Sequence, residues 1–140
     1  MGVITPGKDA FHTDELFLPG LPEAVAADPR FEVPLLIITA LTYLTDVDRA
    51  LCPTYVVPES FRSGRRPAAG ETSWRGNAPL VVLAKAGDSL LFRSDVWHSG
   101  GTNHTADRTR LLCGPFAMVT TRLSALVSGF RVGSVSCIQR

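Results

Sequence analysis

The run Leu35-Leu36-Ile37-Ile38-Thr39-Ala40-Leu41-Thr42-Tyr43-Leu44 is apolar and β-branched on both faces, with no helical period. Such residues are stiff at χ1 and pack well on a pleated surface, so the run predicts a central strand. The rest of the chain is cut into pieces too short for long helices. Twelve glycines and ten prolines punctuate it, and shorter strand-like runs follow at Thr54–Val57, Leu80–Ala84, Ser89–Phe92 and Leu111–Thr121. Thr45–Arg49 turns the first run, Pro58 stops the second, and Lys85-Ala86-Gly87-Asp88 turns the chain between the third and fourth. Pro115 predicts an edge position or a bulge in the last run, because proline has no N–H for a ladder. There is no internal repeat and no long amphipathic helix. Short strands separated by turn signals predict an all-β sandwich or barrel.

The connections are irregular. Met1–Asp9 is polar and without periodicity, and reads as an arm or a truncated start. Glu15–Pro34 carries Pro19, Gly20, Pro22 and Pro29 and reads as an excursion with one helical turn at Glu23–Ala27. Glu59–Asn77 is rich in Gly, Arg, Ser and Pro and predicts a surface loop, with Trp74 anchoring it to the barrel. Arg62, Arg65 and Arg66 within it read as a solvated basic cluster, with contact to an anionic substrate group as the alternative. At 140 residues and 45% hydrophobic, the chain fits one domain, 1–140, with a real core. The tail from Leu123 to Arg140 is expected to pack as one more strand. A formal charge of +1, from scattered basic residues, gives no footprint for nucleic acid or an anionic membrane. No signal segment opens the chain and the longest apolar run is too short to cross a bilayer, so a cytoplasmic location is expected. Cys52, Cys113 and Cys137 form no C-x-x-C pair and read as buried free thiols.

The chemistry gathers at two places. In Trp97–Arg110, which reads as a wide hairpin connection, His98 offers an imidazole of the kind that binds Fe(II) or Zn(II). Arg110 is a fixed cation at the start of the next strand, and an antiparallel return would bring it close to His98. Near the N-terminus, Phe11-His12-Thr13-Asp14 has the form His-x-Asp. Residues two apart on an extended chain share a face, so His12 and Asp14 can grip one ion. Two histidines and one carboxylate are the set that suits non-haem Fe(II) oxygenases, with positions left open for other ligands. Taken singly, His12 would be a surface or capping histidine, Asp14 a turn cap and His98 a core histidine. His104 reads as solvated, and Thr102 and Asn103 as turn-shaping residues.

These blocks resemble the phytanoyl-CoA dioxygenase family of Fe(II)- and 2-oxoglutarate-dependent oxygenases, from about Ala10 to Thr121. The resemblance rests on FHTD, on VVPESFRSGRRP, on AGDSLLFRSDVWHSGG and on NHTADRTR. It implies a double-stranded β-helix, the cupin-like jelly-roll barrel. It implies His12, Asp14 and His98 as iron ligands and Arg110 as the anchor of the far carboxylate of 2-oxoglutarate. The activity implied is hydroxylation of a small organic molecule with dioxygen, since Asp14 keeps the acid that related halogenases replace with a small residue. Three departures stand out. Gly100 replaces a serine common in the family, the loop is one residue longer so that Arg108 rivals Arg110, and only eleven residues precede His12. That short start implies a barrel incomplete at its N-terminus, with an open edge or an exposed apolar face. The alternatives are a catalytically inactive or truncated cupin-like metal- or ligand-binding module, and a Zn(II) or Mn(II) enzyme on the same barrel.

Overall fold

The computed structural model describes residues 10–14, 20–114, 116–118 and 133–134, the last two segments through their backbone. The expected arm over 1–9, Pro115, Cys137 and most of the tail lie outside the described residues. A five-residue helix, α1 (Glu23–Ala27), coincides with the expected helical turn. Eight strands follow: β1 (Ile37–Tyr43), β2 (Thr54–Val56), β3 (Leu80–Val82), β4 (Ser89–Arg93), β5 (His98–Gly100), β6 (Leu112–Gly114), β7 (Phe116–Met118) and β8 (Gly133–Ser134). A 3₁₀ turn, Ser60–Ser63, lies between β2 and β3. Within the tail, then, the two residues of β8 do form a strand.

Among the described residues all pairings are antiparallel and fall into two sheets. In the larger, β1 lies between β4 on one side and β6 and β7 on the other, and β8 adds beyond β6. The smaller has the order β3-β2-β5. The chain thus passes back and forth between the sheets, as in a β-rich cupin-like fold. The central place expected for β1 is what the structure shows. Its neighbour along Leu111–Thr121 is two short strands in one register, since Thr42 pairs with Cys113 and Thr39 with Phe116. The edge position or bulge expected at Pro115 falls on a residue outside those described.

One expectation is overturned. Trp97–Arg110 does not close a hairpin. β5, which contains His98, pairs with β2 in the smaller sheet, while β6 pairs with β1 in the larger. The segment is a crossing between sheets. Local turn signals could not reveal this, because the choice of partner strand rests on long-range register.

Side-chain alternation sets two cores. Between the sheets, Tyr43, Val47 and Leu112 are buried and pack with Leu41, Val82, Ala84 and Leu90. On the outer face of the smaller sheet a second cluster joins Phe11, Ala26, Val57, Trp74 and Trp97. Trp74 meets Trp97 edge-on with ring centroids 5.5 Å apart, so it anchors the 59–77 loop. The arginines of that loop are not simply solvated. Arg65 clasps Glu71 through two bonds of 2.7 and 2.8 Å and lies over both tryptophan rings, and Arg62 donates to the carbonyls of Ala26 and Asp28. On the outside of the larger sheet Leu91 is 66% exposed beside half-buried Ile38 and Ala40. Cys52 is buried and Cys113 half-buried, and neither is in a disulfide. Among the described residues no helix is long and apolar enough to cross a membrane.

Candidate metal centre

His98 opens β5, whose partner on one side is β2; on its other side the chain at His12 adds an isolated antiparallel bridge. The bridge places the two imidazoles side by side, with ring centroids 4.4 Å apart. Asp14, two residues beyond His12, returns to the same face, and its own N–H donates to the Ser94 carbonyl at 3.0 Å. One ligand atom from each of His12, Asp14 and His98 lies within 4.8 Å of the others, a separation small enough for a single ion. His98 is buried, Asp14 half-buried and His12 exposed, so the cluster opens to solvent on the His12 side.

The donor chemistry suits a divalent metal. The Nδ1 atom of His12 is 3.1 Å from the Ala10 carbonyl, and that of His98 is 2.9 Å from the Val96 carbonyl. A carbonyl only accepts, so each Nδ1 carries the proton and each Nε2 keeps its lone pair for an ion. Nε2 of His98 is 3.4 Å from one Asp14 oxygen. Burial pushes the Asp14 carboxyl upward, but its neighbours His98 and Thr39 outweigh burial and hold the carboxyl below its usual value. An ionised carboxylate and two neutral imidazole nitrogens are the forms that ligate.

Arg110 lies elsewhere on the inner surface. It is 7% exposed, and its Nη1 donates to the Cys52 carbonyl at 2.5 Å and to the Thr54 hydroxyl at 3.4 Å. Cys52 has a left-handed backbone, φ 41°, uncommon for a residue with a side chain, and its carbonyl is the one that meets Arg110. Thr54 also accepts from the Tyr43 hydroxyl at 2.9 Å. Thr54 is paired with Gly100, and Val56 with His98, so Arg110 meets the inner face one same-side step from the histidine, roughly 7 Å along the strand. Among the described residues Nε of Arg110 is buried without a partner, and no carboxylate among them pairs with this guanidinium. A buried cation is costly unless an anion meets it. Arg108, by contrast, pairs with Asp48 at 2.7 Å on the surface.

Sequence reasoning named His12, Asp14, His98 and Arg110 but missed Tyr43, Thr54, Thr39 and Ser94. Threonine and tyrosine are ordinary strand formers, so nothing local marks them. The only signal was polarity at inward positions of otherwise apolar runs. His104 and Asn103 stay with the loop: Asn103 bonds the Arg108 carbonyl and Thr105, and the His104 N–H donates to Ala50.

Compared with known proteins, residues 3–111 match the family model described as phytanoyl-CoA dioxygenase (PhyH). No curated protein matches the chain.

Proposed function

The chain belongs to the phytanoyl-CoA dioxygenase family, and from that premise we propose a hydroxylating dioxygenase, dependent on Fe(II) and 2-oxoglutarate, that acts on a small organic molecule. At the family level this is an oxygenase of the Fe(II)/2-oxoglutarate type. The observation that supports the finer reading is the His12, Asp14 and His98 cluster, with both Nδ1 atoms tied to backbone carbonyls. Those three side chains would hold the iron. When bound, iron with 2-oxoglutarate and dioxygen supplies the oxidation of a C–H bond, the chemistry belonging to the cofactor set rather than to any side chain.

The protein's own residues do the positioning. The guanidinium of Arg110, anchored on Cys52 and Thr54, keeps Nε unpaired for the distal carboxylate of the co-substrate. Tyr43 fixes Thr54 from behind through its hydroxyl. Phe92, edge-on to His98 with ring centroids 4.8 Å apart, gives the cluster an apolar wall that limits water. The test is succinate release from 2-oxoglutarate by the purified, Fe(II)-loaded chain under air. Release that requires His98 and Arg110 supports the reading. Metal binding without any 2-oxoglutarate consumption would instead make the chain a binding module.

A further inference from the structure

We propose that Thr39 and Ser94 are positioning residues which reserve one oxygen of Asp14 for the metal and tie back the other. The inference rests on reading His12, Asp14 and His98 as ligands. Thr39 Oγ1 donates to Asp14 Oδ2 at 3.0 Å, and the same Oγ1 lies 2.8 Å from Ser94 Oγ. A threonine hydroxyl has one proton, and an ionised carboxylate has none to give. Thr39 therefore spends its proton on Asp14, and Ser94 must donate to Thr39. The chain runs in one direction, Ser94 to Thr39 to Asp14 Oδ2.

The other carboxylate oxygen, Oδ1, is the one 3.4 Å from His98 Nε2 and so faces the ligand cluster. The two oxygens thus have separate surroundings, one bound by protein and one turned toward the ion. Thr39 is 2% exposed and Ser94 0%, so solvent does not stand in for a lost hydroxyl. The backbone holds the arrangement from three sides. Thr39 pairs with Phe92 across the β1–β4 ladder, Ser94 N–H donates to Ile37 at 3.1 Å, and Asp14 N–H donates to the Ser94 carbonyl at 3.0 Å. Successive hydrogen bonds in a buried chain polarise one another, which strengthens the hold on Oδ2. The consequence is a carboxylate that binds through a single oxygen. A carboxylate free to turn would chelate through both and fill a coordination position that a small ligand needs.

The test uses Co(II) alone as probe on the full chain, with affinity and the visible d–d spectrum as readouts and the thermal midpoint of the metal-free protein as a folding control. Thr39→Val keeps the shape and deletes the donor. It should lower Co(II) affinity by about 10–100-fold, the usual effect of losing such a supporting bond, and change the spectrum. Thr39→Ser restores the hydroxyl and should return both toward the parent, which a merely space-filling role would not require. Ser94→Ala, which leaves the Thr39–Asp14 bond in place, should fall between. Parental affinity and spectrum in Thr39→Val would overturn the proposal, as would a Thr39→Ser variant no better than the valine. Should the valine variant fail to fold, Ser94→Ala with parental affinity and spectrum overturns the chain on its own. A parent that binds no Co(II), or whose binding is indifferent to His98→Ala, removes the ligand reading and the proposal together. His98-dependent binding that ignores Thr39 removes the positioning role alone.

Discussion

His12 and His98 exchange both backbone hydrogen bonds, 3.0 Å from His12 N–H to the His98 carbonyl and 2.9 Å in return. Residues 86 positions apart in the chain are thereby locked side by side through main-chain bonds. Peptide groups hold the two imidazoles together, so their juxtaposition does not depend on an ion. Such preorganisation favours binding, because little ordering remains to be done when the ion arrives.

A divalent metal should therefore stabilise the folded chain by mass action. At free metal one hundred times Kd the gain is about 2.7 kcal/mol, since the unfolded chain offers no assembled site. Thermal unfolding with and without Co(II) measures it. The increment should vanish in His98→Ala and Asp14→Ala, and should persist in Arg108→Ala.

Arg110 and Arg108 should separate cleanly. Arg110→Met removes a buried guanidinium whose Nε has no partner among the described residues and should cost little stability without ligand, because an unpaired buried charge is itself unfavourable. The same change should weaken 2-oxoglutarate binding by about 1.5–3 kcal/mol, the worth of hydrogen bonds to a charged group. Arg108 is tied to Asp48 at the surface, and Arg108→Ala should shift stability by less than about 1 kcal/mol and leave co-substrate dependence alone. Isothermal titration of both variants decides it, and equal losses would show that Arg110 has no privileged role.

Much of this site could be read from local pattern. The i, i+2 spacing put His12 and Asp14 on one face, the apolar run marked β1 as central, and the Gly- and Pro-rich stretch at 59–77 was readable as a loop with Trp74 as its anchor. What stayed hidden depends on pairing between distant strands. His98 lies on β5 against β2, and Arg110 reaches Cys52 and Thr54 across sequence separations of 58 and 56. No turn signal encodes those contacts. Likewise Arg65 looked solvated because its partner Glu71, six residues on, is reached only through the folded shape of the loop.

Gly101 follows β5 directly, and its missing side chain is needed there. A Cβ would come within 2.8 Å of Pro53 Cδ, 2.9 Å of Tyr55 Cε2 and 3.0 Å of the Pro53 carbonyl. The proline ring and its carbonyl have little freedom to give way. Gly101→Ala should lose about 1–3 kcal/mol, the usual cost of overpacking, read as a lower urea midpoint with an unchanged slope.

Tyr43 should titrate late. It is fully buried, and burial pushes its phenol up while the Thr54 bond and the charge of Arg110 pull it down, with a net rise. Because the folded pKa exceeds the unfolded one, the contribution of Tyr43 to stability is complete below about pH 10. It is lost as pH climbs through the folded value. Absorbance at 295 nm, compared between the parent and Tyr43→Phe, isolates this group from Tyr55. A difference curve centred at or below the ordinary tyrosine range would contradict the burial.

The central claim is that His12, Asp14 and His98 hold one Fe(II) to which 2-oxoglutarate binds through Arg110. An anaerobic titration of the chain with Fe(II) and then 2-oxoglutarate, followed in the visible region, tests it most directly. A metal-to-ligand charge-transfer band should grow to one co-substrate per chain, be absent in His98→Ala, and need far more 2-oxoglutarate in Arg110→Met. Fe(II) binding with no such band at saturating 2-oxoglutarate, or a band unchanged in His98→Ala, would contradict it.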